Sequence, residues 1–277
     1  MKKDSFLKRL LTTHIPVALI VLLAIGPFAW MILTSLTPSA DIVARGVSLG
    51  PSGWSADNYS RLLRQTSFLG NMGHSFIVAL GTVALGLLVS VTAAYAFSRF
   101  RFAGRRVFML QFLLVNMFPI VLLILPLFVM MRRLGILDTH IALIIANATT
   151  AIPFAVWMLT SYVGAIPRSL DEAAMMDGCS RLTAMRRIVL PLALPGIIST
   201  GIYIFITAWN EYLYALTLGG RNVRTVTVAI QTLIGEYQIE WGLLAAGGVV
   251  GALPVTILFL LVQRRLVGGL TQGAVKG

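Results

Sequence analysis

The sequence predicts an all-α integral membrane protein with six transmembrane helices and a polar cytoplasmic loop between spans 4 and 5. Three observations carry this reading. Of 277 residues, 57% are hydrophobic and only 12% are charged, about half the charge of an ordinary soluble domain. The mean hydropathy is +0.87. Six stretches are long and apolar enough to cross a hydrocarbon layer about 30 Å thick: 15–36, 71–97, 107–131, 141–163, 192–218 and 243–262.

The first span follows a basic start of Lys2, Lys3, Lys8 and Arg9. Its apolar run is too long for a signal-peptide core and lacks a small-residue cleavage site, so it reads as a retained helix. The third span contains Pro119 and Pro126, each of which removes a ladder hydrogen bond and kinks or breaks the helix. The fourth carries Asn147 and Thr149 in an otherwise apolar run; such groups usually bond their own backbone or a neighbouring helix. The fifth holds Trp209, Asn210, Glu211, Tyr212 and Tyr214, and Glu211 is the one acidic residue within a predicted span. The sixth contains Gly247-x-x-x-Gly251, a spacing that lets helices approach closely. The tail 268–277 is too rich in glycine to predict a stable helix.

Between spans 4 and 5 lies the longest patterned polar stretch, 169–191 (SLDEAAMMDGCSRLTAMRRIVLP). Ser169 and Glu172 have the spacing of a capping box, and Asp171 and Glu172 stand at the positive end of the helix it would start. Gly178 suits a left-handed helix end. Ser180 can cap a second short helix, which Pro191 ends. Ala173 and Ala174 give the first helix a smooth face. Helices this short are marginal in water, so the loop calls for a partner surface.

Orientation follows from Lys and Arg. One set of span ends holds Lys2, Lys3, Lys8, Arg9, Arg99, Arg101, Arg105, Arg106, Arg168, Arg181, Arg186, Arg187, Arg264, Arg265 and Lys276. The other holds Arg45, Arg61, Arg64, Arg132, Arg133, Arg221 and Arg224. The excess of cations in cytoplasmic loops places both termini and the 167–191 loop inside. The chain reads as one transmembrane domain over 1–277, with external segments at 37–70 and 219–242. Its net charge of +12 then reflects the inner membrane face rather than nucleic acid. A single cysteine, Cys179, excludes an intramolecular disulfide. There is no G-x-x-x-x-G-K-[ST] phosphate loop. His14, His74 and His140 lie far apart in sequence without an H-E-x-x-H pattern, so no metal site and no catalytic centre is expected.

From Glu172 onward the loop has a longer pattern: Glu172-Ala173-Ala174, three residues, Gly178, nine residues, then Ile188-Val189-Leu190-Pro191. This resembles the E-A-A-x3-G-x9-I-x-L-P signature of ABC importer permeases. Further stretches are similar to the sugar-importer branch of maltose-permease type, the second of two paired permeases. These are residues 93–100 (AAYAFSRF) with Gly104-Arg105-Arg106, Ile152-Pro153-Phe154, Ile166-Pro167, residues 209–212 (WNEY), and the tail 268–277, in which Gln272 stands where the family commonly has a small residue.

The resemblance implies a non-catalytic permease subunit of an ATP-driven, binding-protein-dependent sugar importer in the bacterial cytoplasmic membrane. Its implied partners are a related permease in a heterodimer, two ATPase subunits that carry ATP and magnesium, and an extracytoplasmic sugar-binding protein. No cofactor is implied on this chain. Glu172, Ala173, Ala174, Asp177, Gly178, Ile188, Leu190 and Pro191 would form the ATPase-coupling segment. Thr271, Gln272 and Gly273 would reach the ATPases from the tail. Candidates for the substrate path are Asn210, with hydrogen-bonding capacity for a sugar hydroxyl, together with Glu211, Trp209, Tyr212, Tyr214 and Asn147; for Glu211, a role in the path and a role in packing both stand open. The external segment 219–242, with Trp241, would face the binding protein. Two rival readings are a permease of the same class for a polyol or glycerol phosphate, and an ion-coupled secondary transporter. The second should show inverted repeats, and none is evident.

Overall fold

The computed structural model describes residues 9–235 and 239–274, with side chains to Gln263. The described residues form helices joined by turns and loops, with one isolated bridge, Ile234 to Ile239. The helices are α1 Ile15–Leu36, preceded by a π-turn over Leu10–His14, α2 Ser39–Arg45, α3 Asp57–Gln65, α4 Phe68–Arg99, α5 Arg105–Met117, α6 Ile120–Arg133, α7 His140–Ala165, α8 Arg168–Met176, α9 Arg181–Leu192, α10 Leu194–Asn210, α11 Leu213–Leu218, α12 Val226–Thr232 and α13 Trp241–Ala274. Segment α9 contains a π-turn over Met185–Val189. Four helical stretches are long and apolar enough to cross a membrane, or up to six if each of two bent pairs counts as one span.

The described residues form two compact units. One comprises the residues up to Leu69 with Ile230–Leu253. Here α1 is apolar on every side, and no part of its most apolar window is buried within the chain. A helix with that surface belongs against lipid or another protein. Buried Asn58 ties α3 to the end of α1, its amide donating to the carbonyls of Ser35 at 2.9 Å and Thr37 at 2.8 Å. Arg61 and Glu240 form an ion pair at 2.6 Å.

The other unit comprises Gly70–Ala229 and the residues from Pro254 on, and α7 lies at its centre. Its buried face is rich in alanine (Ala142, Ala146, Ala151, Ala155), which lets α5 and α10 pack close to it. Thr139 caps α7 by accepting the N–H of Ala142 at 3.2 Å.

Two predicted spans are not single helices. The third breaks between α5 and α6 with a bend of 97°. Phe118 precedes a proline and is therefore pushed into extended backbone, with φ −75° and ψ 129°. Pro119 follows with no N–H to continue the ladder. Pro126, by contrast, sits inside α6. The fifth span bends by 77° between α9 and α10, at Ala193 beside Pro195 in the first turn of α10. It ends at Asn210, and α11 begins afresh at Leu213. Pro191 does not stop the loop's second helix as expected. It lies within α9, one residue before that helix ends at Leu192.

The tail also differs from expectation, because the α13 backbone stays helical to Ala274. Each glycine costs about 1 kcal/mol, but a long helix already formed adds a hydrogen bond with every further residue. Thr271, Gln272 and Gly273 lie on this helix, with their side chains outside the described residues.

Candidate functional site

The 167–191 loop folds as a helix, a glycine turn and a second helix. The first helix is not started by a capping box. Pro167 is the N-cap of α8 and no side chain caps it, so Ser169 and Glu172 fall inside the helix. The reason is local: Pro167 holds the extended conformation that precedes a helix, and the helix begins at the next residue. Its C-terminus is built as predicted. Gly178 has φ +86°, its N–H reaches the Met175 carbonyl at 3.1 Å, and the Cys179 N–H reaches the Ala174 carbonyl at 3.0 Å. That paired closure needs a residue without a Cβ penalty at the left-handed position. Ser180 caps α9, accepting the Thr183 N–H at 3.3 Å.

The two alanines do not share a face. Ala174 is buried and Ala173 is exposed, as successive residues on a helix must diverge. The exposed side of the loop carries Glu172, Ala173, Asp177 and Gly178, with Met176 87% and Leu182 53% exposed. Glu172 has no ion-pair partner among the described residues. On the return segment Ile188 and Leu190 are half-buried and Pro191 is exposed, while Val189 is fully buried. Val189 and Ala193 pack with Ala94 of α4 and with Leu159 and Val163 of α7.

The loop is fastened to α4 by contacts that no local pattern announces. Arg99 and Asp171 form an ion pair in which both side chains are at least nine-tenths buried. Arg99 also donates to the Ile166 carbonyl at 3.1 Å. Arg168 returns the contact, donating to the Ser98 carbonyl at 2.6 Å. Arg99, Arg168, Asp171, Glu172 and Arg181 line a small open cleft of about 140 Å³ beside Tyr95. The sequence shows Arg99 as a loop cation and Asp171 as a helix-start acid; their pairing depends on the tertiary fold.

The residues proposed for a substrate path fall into two groups. Trp209 is 2% exposed, stacked on Phe205 at 5.6 Å and edge-on to Phe76 at 4.8 Å. Tyr214 and Asn147 are also buried, and Asn147 donates to the Leu143 carbonyl at 2.9 Å. Asn210 is exposed, and Glu211 and Tyr212 are half-buried. Glu211 sits in the break after α10, where its carboxylate accepts the N–H groups of Tyr214 at 2.8 Å and Ala215 at 3.1 Å. It thereby caps α11 and satisfies donors that a helix start leaves open.

Beyond this break, Asp138 holds two loops together. It has φ +56° and accepts the N–H of Asn222 at 3.0 Å and of Val223 at 2.9 Å, together with the Asn222 side-chain amide at 3.0 Å. Gly220 allows this approach, since a Cβ there would meet the carboxylate at 2.8 Å. Desolvation raises the Asp138 pKa, but the hydrogen bonds outweigh it and hold the carboxyl below its ordinary value. A lowered pKa contributes stability above the ordinary carboxylate value, near pH 4, and that contribution is lost as pH falls through the lowered value. The thermal midpoint of wild type should therefore exceed that of Asp138→Asn at neutral pH, and the gap should close in acid. A gap that stays constant from pH 7 to pH 3 would refute the clamp.

Two of the three histidines, far apart in sequence, meet: His74 Nδ1 and His140 Nε2 are 2.8 Å apart. No third ligand joins them among the described residues.

The model of one protein family, the binding-protein-dependent transport system inner membrane component, matches residues 86–272, a stretch that includes the whole 167–191 loop. The chain belongs to this family. Among relatives of this inner membrane component, the sulfoquinovosyl glycerol transport system permease protein of Agrobacterium fabrum is 38% identical, over 91% of this chain and 88% of that one. The trehalose transport system permease protein of Mycobacterium tuberculosis is 37% identical, over 94% and 95%. The trehalose/maltose transport system permease protein of Thermococcus litoralis is 36% identical, over 99% of both chains. A chain of a bacterial ABC transporter involved in import of the acidic polysaccharide alginate shares the fold, with a TM-score of 0.80 over 95% of this chain and 98% of that one at 24% identity. The expected class of multi-pass transport component is thus met.

Proposed function

We propose that this inner membrane component is the permease subunit of an ATP-driven importer of mono- or oligosaccharides in a bacterial cytoplasmic membrane, with both termini cytoplasmic. The observation that carries the reading is the docking loop within a family-matched chain. Its exposed side offers Glu172, Met176 and Leu182 to a partner, while its buried side is fixed to α4 and α7. A surface built this way passes a push from outside the membrane into the spans. ATP and magnesium belong on two partner ATPase subunits, a related permease completes a heterodimer, and a sugar-binding protein delivers substrate from outside. The chain serves as a single transmembrane domain that performs no chemistry. Glu172, Ala173, Asp177 and Gly178 meet the ATPase, and Thr271, Gln272 and Gly273 extend toward it on the end of α13. Asn210, Glu211 and Tyr212 offer the accessible polar groups for a solute.

Transport energy enters as a coupling between two conformational equilibria, which requires contacts that differ between the two states. The test is to purify the chain with its accompanying subunits and measure ATPase stimulation by the binding protein across a panel of saccharides. The panel should include an anionic one, since one relative is described as a sulfoquinovosyl glycerol transport permease. Several-fold stimulation by one saccharide class is expected. Recovery of the chain without any ATPase subunit would refute the assignment.

A further inference from the structure

We propose that the turn between α4 and α5 holds an anionic phospholipid by its phosphodiester headgroup. The inference rests on the cytoplasmic orientation proposed above. An open cleft of about 610 Å³ is lined by Phe102, Gly104, Arg105, Arg106, Val107 and Met109. Its cations are uncompensated. No Asp or Glu occurs between Asp57 and Asp138. Arg99 already has Asp171, whereas Arg101, Arg105 and Arg106 have no ion pair among the described residues.

One wall of the cleft is aromatic. Phe102 lies 5.4 Å from Phe97 and 6.5 Å from Phe108, centroid to centroid, and it remains 40% exposed. Below the guanidiniums an apolar stripe runs down α5. Val107 is 57% exposed, Leu110 52% and Leu114 61%, and their i, i+3, i+7 spacing puts them on one helix face. A charged head above such a stripe matches a lipid, whose phosphate meets the arginines while an acyl chain lies along the helix. A free phosphate would leave the stripe unused. Basic pockets at the cytoplasmic ends of spans have the chemistry to take anionic headgroups.

The test is native mass spectrometry of the intact transporter, titrated with phosphatidylglycerol, with phosphatidylcholine of the same chains, or with inorganic phosphate. Phosphatidylglycerol should be retained in preference to phosphatidylcholine. The double variant Arg105→Gln/Arg106→Gln should weaken that retention about 30-fold, the factor two surface cations contribute together. Arg105→Lys/Arg106→Lys should keep most of it, and the charge-matched control Arg132→Gln/Arg133→Gln should leave it unchanged. Equal loss in both glutamine variants, equal retention of the two lipids, or displacement by inorganic phosphate would each overturn the site. Crosslinking from position 105 to an ATPase subunit instead of lipid would overturn it in favour of a protein contact. The presence of ATPase subunits in the same spectra reports separately on the transport assignment.

Discussion

Replacing Asp171 by alanine should strand the Arg99 guanidinium in a site almost closed to solvent. Both side chains are at least nine-tenths buried, and removing one partner of a buried pair typically costs about 3–5 kcal/mol. A large drop in the thermal midpoint of the purified transporter is the expected result, together with loss of ATP-driven uptake. The double variant Arg99→Met/Asp171→Leu separates stability from transmission. Apolar side chains of similar volume often replace a buried ion pair at no net cost, so its thermal midpoint should recover. Uptake should stay low, because the electrostatic tie between α4 and α8 is gone, although the Arg168 contact to Ser98 remains. Uptake fully restored along with stability would mean that the pair holds the fold and nothing more.

The second large effect concerns Gly178. No atom lies within 4 Å of a Cβ built there, so a side chain has room, but φ is +86°. The cost is therefore conformational, about 1–2 kcal/mol for an ordinary L-residue and more for a β-branched one. In Gly178→Val the turn should open, and the carbonyls of Ala174 and Met175 would lose their partners. Segment α9 would then leave α8 in a different direction. The spans do not depend on this turn, so insertion into the membrane should be normal while ATP-driven uptake falls to background. Gly178→Asn should keep most activity, because asparagine tolerates the left-handed conformation. Wild-type uptake in Gly178→Val would refute the docking role of the loop.

These two positions differ in how far the sequence reveals them. Gly178 and Ser180 are legible because a helix end is a local event, set by a few neighbouring residues. The Arg99–Asp171 pair is not, because it forms only when α4 and the loop fold together. The same contrast governs the spans. Apolar content marks all six regions, since burial in lipid is set by composition. Continuity is a different property. Pro119 announces a weak point, yet an apolar run on both sides of it hides a bend of 97°. Glu211 is conspicuous as an acid in a predicted span, but its capping contacts exist only because the helix stops at Asn210. The capping box at Ser169 and Glu172 fails for a related reason: the pattern is present, but Pro167 starts the helix too early for it to operate.

The turn at Phe118 and Pro119 has a consequence for the solvent around it. It lies 13 residues from the start of α5, about 20 Å along the helix axis, a distance greater than half of a hydrocarbon layer about 30 Å thick. An interrupted helix exposes peptide dipoles, which bare hydrocarbon tolerates only at several kcal/mol per group. The low-dielectric medium must therefore be broken there by water or by protein. Water or protein at that break would offer a hydroxyl-rich solute polar groups that bare hydrocarbon lacks.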